Sequence, residues 1–134
     1  HKRIPERMLV DFAKQLFAAL AAAHQQKIIH RDVKPSNVFL TRGNGIVLGD
    51  FGIARSLQFT MDVARTCIGT PLYLAPEVIN GQPYNTMADM WGAGVVLYEL
   101  AALRRPFVGA KNQPGNAALF TKIAQFDPMP SLAA

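Results

Sequence analysis

Four polar residues between positions 32 and 50 have the types and order that phosphoryl transfer requires. Asp32 can accept a proton from an attacking hydroxyl, and Lys34 can place a compact positive charge against a phosphate. Asn37 and Asp50 offer a neutral and a charged oxygen, and oxygen is the ligand that Mg²⁺ prefers. Taken singly, Asp32 after Arg31 is better explained as a surface ion pair, and Asp50 with the two residues that follow it as a turn. Their order together favours the chemistry, which depends on alignment and charge neutralisation.

A predicted β-hairpin separates the first three of these residues from the fourth. Residues 38–40 (VFL) and 46–48 (IVL) are predicted to form short strands. The connection between them contains an Asn-Gly pair, which supplies a turn of positive φ. The hairpin returns the chain and is expected to bring Asp50 beside Asn37. A further short strand is predicted at residues 28–29.

Helices are predicted on both sides of this centre. Apolar residues at helical spacing predict a helix over about residues 6–26, with Pro5 in its first turn. A helix over about residues 87–102 is nearly apolar all round and is expected to be buried, capped by Asn85 or Thr86.

The remaining segments have weaker patterns. Residues 49–83 hold glycines, prolines and hydroxyls without a sustained period and predict a long functional loop. Residues 105–115 predict a Pro/Gly loop, and residues 116–126 a short helix. His24, near the end of the first helix, is assigned to packing.

Composition restricts the class of protein. The 134 residues suffice for one domain, half of them apolar and 17% charged. No apolar run approaches the ~20 residues of a membrane span, and no signal peptide is visible. The net charge is +5, but the basic residues are scattered along the chain and no aromatic residues are interleaved with them. Neither a membrane nor a nucleic acid is therefore expected as a partner. The single cysteine, Cys67, excludes an internal disulfide and fits a reducing compartment.

Three motifs occur in a fixed order along the chain. They are HRDVKPSN at residues 30–37, DFG at residues 50–52 and APE at residues 75–77. Each is weak alone, but the ordered set with a hairpin between the first two is specific. It resembles the eukaryotic protein kinases, over the whole chain. The resemblance implies a mainly α fold, the large C-terminal lobe of a kinase, with a short β-hairpin carrying the catalytic and metal-binding loops.

The resemblance also implies roles for single residues, with ATP and Mg²⁺ as cofactors. The catalytic residues would be Asp32, Lys34, Asn37 and Thr70. The residues that bind ATP and its metal ions would be Phe39, Lys34, Asn37 and Asp50, with Asn37 and Asp50 as the metal ligands and Phe39 as the floor under the adenine ring. Structural roles would fall to His30, Phe51, Glu77 and Asp89. Of these, His30 would stack near Phe51, and Asp89 would brace the backbone of the catalytic loop.

Finer features point to one class of kinase. Lys34 and the run GTPLYL at residues 69–74 resemble serine/threonine kinases, in which Thr70 would bridge Asp32 and Lys34. The runs LGDFGIAR at 48–55 and ARTCIGTP at 64–71 resemble the NIMA-related (Nek) kinases. Gly92 and Ala93 depart from the Ala-Leu that is common there.

Regulation and peptide preference are also predicted. Thr66 resembles the family's activation phosphosite, and Arg31 and Arg55 would form its phosphate pocket. Ser36 is uncharged where kinases that select basic peptides often carry an acidic residue, so we expect weak selection for Arg three residues before the acceptor. Glu99 is a candidate for favouring a basic residue nearer the acceptor.

Residues 1–134 are therefore interpreted as a C-lobe fragment that lacks the N-lobe and the last helices. No Gly-x-Gly-x-x-Gly and no Val-Ala-x-Lys occurs. The parent is expected to phosphorylate Ser or Thr of protein substrates, while this piece, without its N-lobe as partner, is expected to be inactive. The rival interpretation is a pseudokinase or scaffold lobe used for docking. A basic nucleic-acid module is a third, which predicts salt-dependent binding. The expected location is cytoplasmic, with the cytoskeleton and nucleus as alternatives by family resemblance.

Overall fold

A computed structural model describes residues 3–51, 72–107 and 117–125. The elements, in chain order, are α1 (Glu6–Gln25), β1 (Val38–Leu40), β2 (Ile46–Leu48), α2 (Pro76–Ile79), α3 (Thr86–Ala102) and α4 (Ala117–Ala124). The two strands form one antiparallel sheet. This mainly helical architecture with a short hairpin confirms the predicted fold class. Within the described residues, no helix combines the length and apolarity needed to cross a membrane.

Helix α1 has nearly the predicted bounds and buries one face. Leu16, Leu20 and Ala23 are its buried residues, at the spacing that places side chains on one side of a helix. The helix ends at Gln25, and Lys27, two residues on, has a φ of 62° that turns the chain in the left-handed sense. The N–H of Ile28 donates to the carbonyl of Ala23. That hydrogen bond closes the end of α1 and occupies the N–H of Ile28. Residues 28 and 29 form no strand, so the strand predicted there is wrong.

The hairpin forms where it was predicted. Val38 pairs with Leu48 and Leu40 with Ile46. Asn44 has the predicted positive φ, 59°. Helix α1 holds the turn from outside, because the Gln15 side chain accepts from the N–H of Ile46 at 2.9 Å and donates to the carbonyl of Asn44 at 3.2 Å. The hairpin is therefore tied to α1 as well as to itself.

Helix α3 begins with a side-chain cap. The Oδ1 of Asn85 accepts from the N–H groups of Met87 and Ala88, so Asn85 is the cap and Thr86 is the first helical residue. The expectation that α3 is buried all round is wrong for one stripe. Met87, Met90 and Gly94 are exposed in the described part of the chain.

Two other boundaries differ from prediction. The long loop predicted at residues 49–83 contains helix α2, with Pro76 at its first position, where a missing N–H costs nothing. Four residues are too few to show a helical period in sequence. Helix α4 is Ala117–Ala124, within the predicted residues 116–126.

Among the described residues, the largest core cluster joins the two long helices to residues 30–37, the predicted catalytic loop. Leu16 and Leu20 of α1 meet Ala93 and Val96 of α3, and Val33 and Leu48 complete the cluster. Val33 lies between Asp32 and Lys34 in sequence. The segment that carries these polar residues is therefore anchored in the core by its apolar member. A second cluster joins Leu72, Val95, Phe107, Leu119 and Ile123.

Candidate active site

The loop of residues 30–37 brings three of the predicted catalytic side chains into contact. The Lys34 Nζ lies 2.9 Å from the Asp32 Oδ2. The Asn37 Nδ2 donates to the same oxygen at 3.1 Å and to the Asp32 carbonyl at 2.8 Å. Asn37 follows Lys34 through the 3₁₀ turn, so this spacing folds its amide back onto Asp32. A cation and an amide thus orient one carboxylate.

Asp89 of α3 supports the start of this loop from below. Its Oδ2 accepts from the N–H of His30 and its Oδ1 from the N–H of Arg31, both at 2.8 Å. Asp89 is only 2% exposed, and hydrogen bonds to a buried carboxylate are strong because little water competes for them. Arg31 has a φ of 70°, an unfavourable conformation for a residue with a side chain. The two bonds from Asp89 hold the backbone there, directly before Asp32.

His24 has a role that sequence reasoning missed. Its Nε2 lies 2.7 Å from the Asp89 Oδ2, to which it donates a hydrogen bond. Helix α1 therefore contributes a third donor to the carboxylate that braces the loop. Assignment of His24 to packing alone was incomplete. No local pattern signals this contact, because the two residues are 65 positions apart.

His30 links the catalytic loop to the end of the hairpin, where the predicted metal ligand Asp50 lies. Its Nε2 lies 2.8 Å from the carbonyl of Gly49, and the N–H of Asp32 donates to its Nδ1 at 3.2 Å. The neutral tautomer with the proton on Nε2 satisfies both bonds. The ring centroid of His30 is 4.5 Å from that of Phe51 and the ring planes are tilted by 50°, so the predicted contact is present as a tilted pair and not as a stack.

Asp50 reaches the site through the end of the hairpin. The N–H of Gly49 donates to the carbonyl of Asn37 at 2.9 Å, which brings the residue before Asp50 against Asn37. Asp50 itself has a φ of 52°, and such strained positions are typical of functional sites.

Magnesium fits this donor set. Both hydrogen bonds of the Asn37 Nδ2 go to Asp32, which leaves the Oδ1 as the amide's ligand atom. The Asp50 carboxylate is exposed and makes no hydrogen bond or ion pair with the described residues. One amide oxygen and one carboxylate are ligands that Mg²⁺ combines with phosphate oxygens and water. The assignment of both residues as metal ligands stays a prediction.

Phe39 lies on β1 of the hairpin, against Gly49, the residue before Asp50. Its side chain is 51% exposed, and a Cβ at Gly49 would lie only 2.7 Å from its Cε2. The ring therefore lies directly over Gly49, and a side chain at that position would displace it. An exposed aromatic face at this place is suited to a flat heterocycle such as adenine, and that role also stays a prediction.

A second polar group lies where the APE motif approaches α3. The Tyr73 hydroxyl donates to the Glu99 Oε2 at 2.6 Å. Burial and then this hydrogen bond raise the pKa of the Tyr73 hydroxyl above its usual range, so it stays a donor at neutral pH. Sequence reasoning singled out Glu99 but not its bond to Tyr73.

Several predicted residues remain without a described partner or position. Arg55, Thr66 and Thr70 lie outside the described residues. Glu77 is in the first turn of α2, and its carboxylate makes no ion pair with the described part of the chain. The described residues also hold no cluster of three or more His, Cys, Asp or Glu that could bind a metal.

Comparison with known families decides the identity of the fold. The sequence-family model of the protein kinase domain matches residues 1–131. The chain belongs to the protein kinase family. The oriented Asp32 and the hairpin that joins Asn37 to Asp50 therefore lie in a kinase domain.

The relatives of this kinase chain include several NIMA-related kinases. It is 50% identical over 102 residues to mouse serine/threonine-protein kinase Nek1, and 50% identical over 106 residues to human Nek5. It is 43% identical over 122 residues to serine/threonine-protein kinase nekl-2 of Caenorhabditis elegans. These matches cover 76%, 78% and 90% of the chain, and 8%, 15% and 34% of those proteins. They confirm the NIMA-related resemblance, and the chain spans about a third or less of each relative.

Proposed function

We propose that the protein carrying this chain is a serine/threonine protein kinase that transfers the γ-phosphate of ATP to hydroxyl groups of protein substrates. The observation that carries the proposal is the orientation of Asp32 by Lys34 and Asn37, next to the hairpin end that presents Asp50. The names of its relatives support the acceptor class.

Each side chain has a defined task in this reaction. Asp32 accepts the proton of the acceptor hydroxyl and aligns its oxygen for attack. Lys34 neutralises charge that builds up on the transferred phosphate. Asn37 and Asp50 would hold Mg²⁺, which screens the charge on the phosphates of bound ATP. Phe39 would support the adenine ring.

A pair of amide substitutions tests the proposal in a protein that carries a complete kinase domain. Asp32→Asn keeps the size of the side chain but removes the base, so we expect turnover to fall by ~10² or more while nucleotide affinity is largely kept. Asp50→Asn removes a metal ligand, so the Mg²⁺-dependent affinity for nucleotide should fall as well. Turnover on a Ser/Thr peptide and binding of a fluorescent ATP analogue measure the two effects.

The control is Asp11→Asn, which makes the same change on the exposed side of α1 and should alter neither quantity. The same assay on residues 1–134 alone should show no transfer. Retention of more than a few per cent of turnover by Asp32→Asn would rule out the assigned roles. A wild-type protein that binds no nucleotide would favour the pseudokinase or scaffold alternative.

We also propose that phosphorylation of Thr66 activates the kinase and that the protein acts in the cytoplasm. The support for the switch is Arg31, which is placed beside Asp32 by its bond to Asp89, together with the sequence position of Arg55. A phosphate brings about −1.5 to −2 charges and acceptor oxygens, which can engage both arginines. Microscopy of the tagged full-length protein tests the location.

A further inference from the structure

Gln15 of α1 holds the turn of the hairpin through two hydrogen bonds. Its Oε1 accepts from the N–H of Ile46 at 2.9 Å, and its Nε2 donates to the carbonyl of Asn44 at 3.2 Å. Both partners are backbone groups, one on each side of Gly45. We call this pair of hydrogen bonds the Gln15 clamp.

The turn that the clamp holds is closed by hydrogen bonds of its own. The N–H of Thr41 donates to the carbonyl of Gly45 at 2.8 Å, and the N–H of Asn44 donates to the carbonyl of Thr41 at 3.2 Å. The N–H of Gly45 donates to the Thr41 Oγ1 at 3.0 Å. Because these bonds join both ends of the turn, the clamp fixes the position of β1 as well as that of β2.

The other end of the hairpin is fixed by separate contacts. Leu48 is only 8% exposed and lies in the same core cluster as Leu16, which also belongs to α1. The N–H of Gly49 donates to the carbonyl of Asn37 at 2.9 Å. This anchor lies about 7 Å along β2 from the clamp, which is the rise of two strand residues. Helix α1 therefore holds the hairpin at two points, and two points set its tilt.

The tilt of the hairpin decides where its exposed face lies. Phe39 pairs with Val47 between the two anchors, and residues directly opposite each other on paired strands lie on the same face. Phe39 is 51% exposed and Val47 is 53% exposed. Asp50 follows the end of β2 by two residues. The surface expected under adenine and one expected metal ligand are thus both carried by the hairpin.

We propose that Gln15 is a positioning residue for the nucleotide, which acts by holding the hairpin at the tilt that ATP binds. The inference rests on the proposed kinase function and concerns the nucleotide side of the same site. Without the clamp, the hairpin is held at one end only and adopts other tilts. A ligand that binds only the competent fraction of the molecules loses affinity in proportion to that fraction.

The transfer step should be spared, because the catalytic loop is anchored elsewhere. Val33 lies in the core cluster, and Asp89 accepts hydrogen bonds from the N–H groups of His30 and Arg31. Bound nucleotide would itself hold the hairpin in place. Loss of the clamp should therefore change the affinity for nucleotide and leave kcat with saturating ATP unchanged.

Gln15→Met tests the proposal in a protein with a complete kinase domain, because methionine has a similar length and neither hydrogen bond. We expect the Kd for a fluorescent ATP analogue and the KM for ATP to rise by about two- to tenfold, the range that corresponds to one hydrogen bond. The KM for a Ser/Thr peptide should not change. Hydrogen exchange of residues 38–48, measured by mass spectrometry without nucleotide, should be faster than in the wild type.

Two further variants decide how a loss of affinity is interpreted. Gln25→Met makes the same change at the exposed last residue of α1 and should alter none of these quantities. Gln15→Glu can still accept from Ile46 but cannot donate to the carbonyl of Asn44, so its affinity for nucleotide should fall as well. Wild-type affinity in both Gln15 variants, an equal loss in Gln25→Met, or a fall in kcat at unchanged KM would each overturn the proposal.

The binding measurement separates this proposal from the proposed function. A wild type that binds the nucleotide but transfers no phosphate would refute the kinase function alone, and the affinities of the variants would still decide the role of Gln15. Equal affinities of Gln15→Met and an active wild type would refute the role of Gln15 alone.

Discussion

Gly49 lies under the ring of Phe39 and immediately before Asp50. A Cβ at this position would lie 2.7 Å from the Cε2 and 3.2 Å from the Cδ2 of that ring. Both atoms belong to an exposed side chain, so the ring can move at little cost to stability. The surface offered to adenine would move with it.

We therefore predict that Gly49→Ala raises the KM for ATP by about two- to tenfold, the worth of one aromatic contact, and changes the free energy of unfolding little. Gly43→Ala is the matched control, because no atom of the described residues lies within 4 Å of a Cβ at that position. Steady-state kinetics and thermal unfolding measure both quantities. An unchanged KM in Gly49→Ala would mean that Phe39 does not contact the nucleotide.

Helix α3 contains two glycines whose surroundings differ. A Cβ at Gly92 would lie 3.0 Å from the Val33 carbonyl oxygen and 3.1 Å from the Val33 Cβ, whereas a Cβ at Gly94 has no neighbour within 4 Å among the described residues. Glycine in a helix interior costs about 1 kcal/mol relative to alanine, because the unfolded chain loses more freedom. Replacement of either glycine by alanine should therefore gain about the same helix stability. Only the new Cβ at position 92 meets neighbouring atoms, those of Val33.

The prediction is that Gly94→Ala stabilises a complete kinase domain by about 0.5–1 kcal/mol, while Gly92→Ala gains less or destabilises. Because Val33 is flanked by Asp32 and Lys34, Gly92→Ala should also lower kcat, and Gly94→Ala should not. Chemical denaturation and peptide turnover report the two effects. Equal stabilisation by both variants with equal turnover would show that the contact with Val33 relaxes freely.

At the scale of the whole molecule, the proposed Thr66 switch would couple the catalytic loop to a segment outside the described residues. We expect Thr66→Ala to lower turnover at least about tenfold relative to phosphorylated wild type, since it removes the phosphate that would engage Arg31 and Arg55. Thr60→Ala, a hydroxyl farther from the catalytic end, is the control. Turnover is measured on protein whose Thr66 phosphate occupancy is established by mass spectrometry.

Arg31→Asn should reduce the gain from phosphorylation. Asparagine is preferred to alanine here because the residue has a φ of 70°, which asparagine tolerates. Equal turnover of the phosphorylated and unphosphorylated enzyme would show that the switch does not exist.

Local patterns predicted the three longer helices and the hairpin, and the errors arose where a backbone hydrogen bond or a packing neighbour decides the structure. The period of α1 and the cap at Asn85 are properties of neighbouring residues, and both predictions were confirmed. The strand at residues 28–29 failed because the N–H of Ile28 closes the end of α1, a bond that residue preferences do not reveal. The burial of α3 was overestimated because apolar composition alone does not show which face of a helix packs against another element.

By itself the sequence determined the family, the hairpin and the order of the catalytic groups, because motif spacing and turn chemistry act over a few residues. Only the tertiary structure showed that His24 joins Asp89 beneath the catalytic loop and that Arg105 approaches Glu99 and Tyr73. Side chains such as His24 and Asp89 lie 65 residues apart, and no spacing along the chain encodes their distance in space. The packing of α1 and the catalytic loop against α3 brings them together, since burial of Leu16, Val33 and Val96 in one core sets the relative positions of these elements.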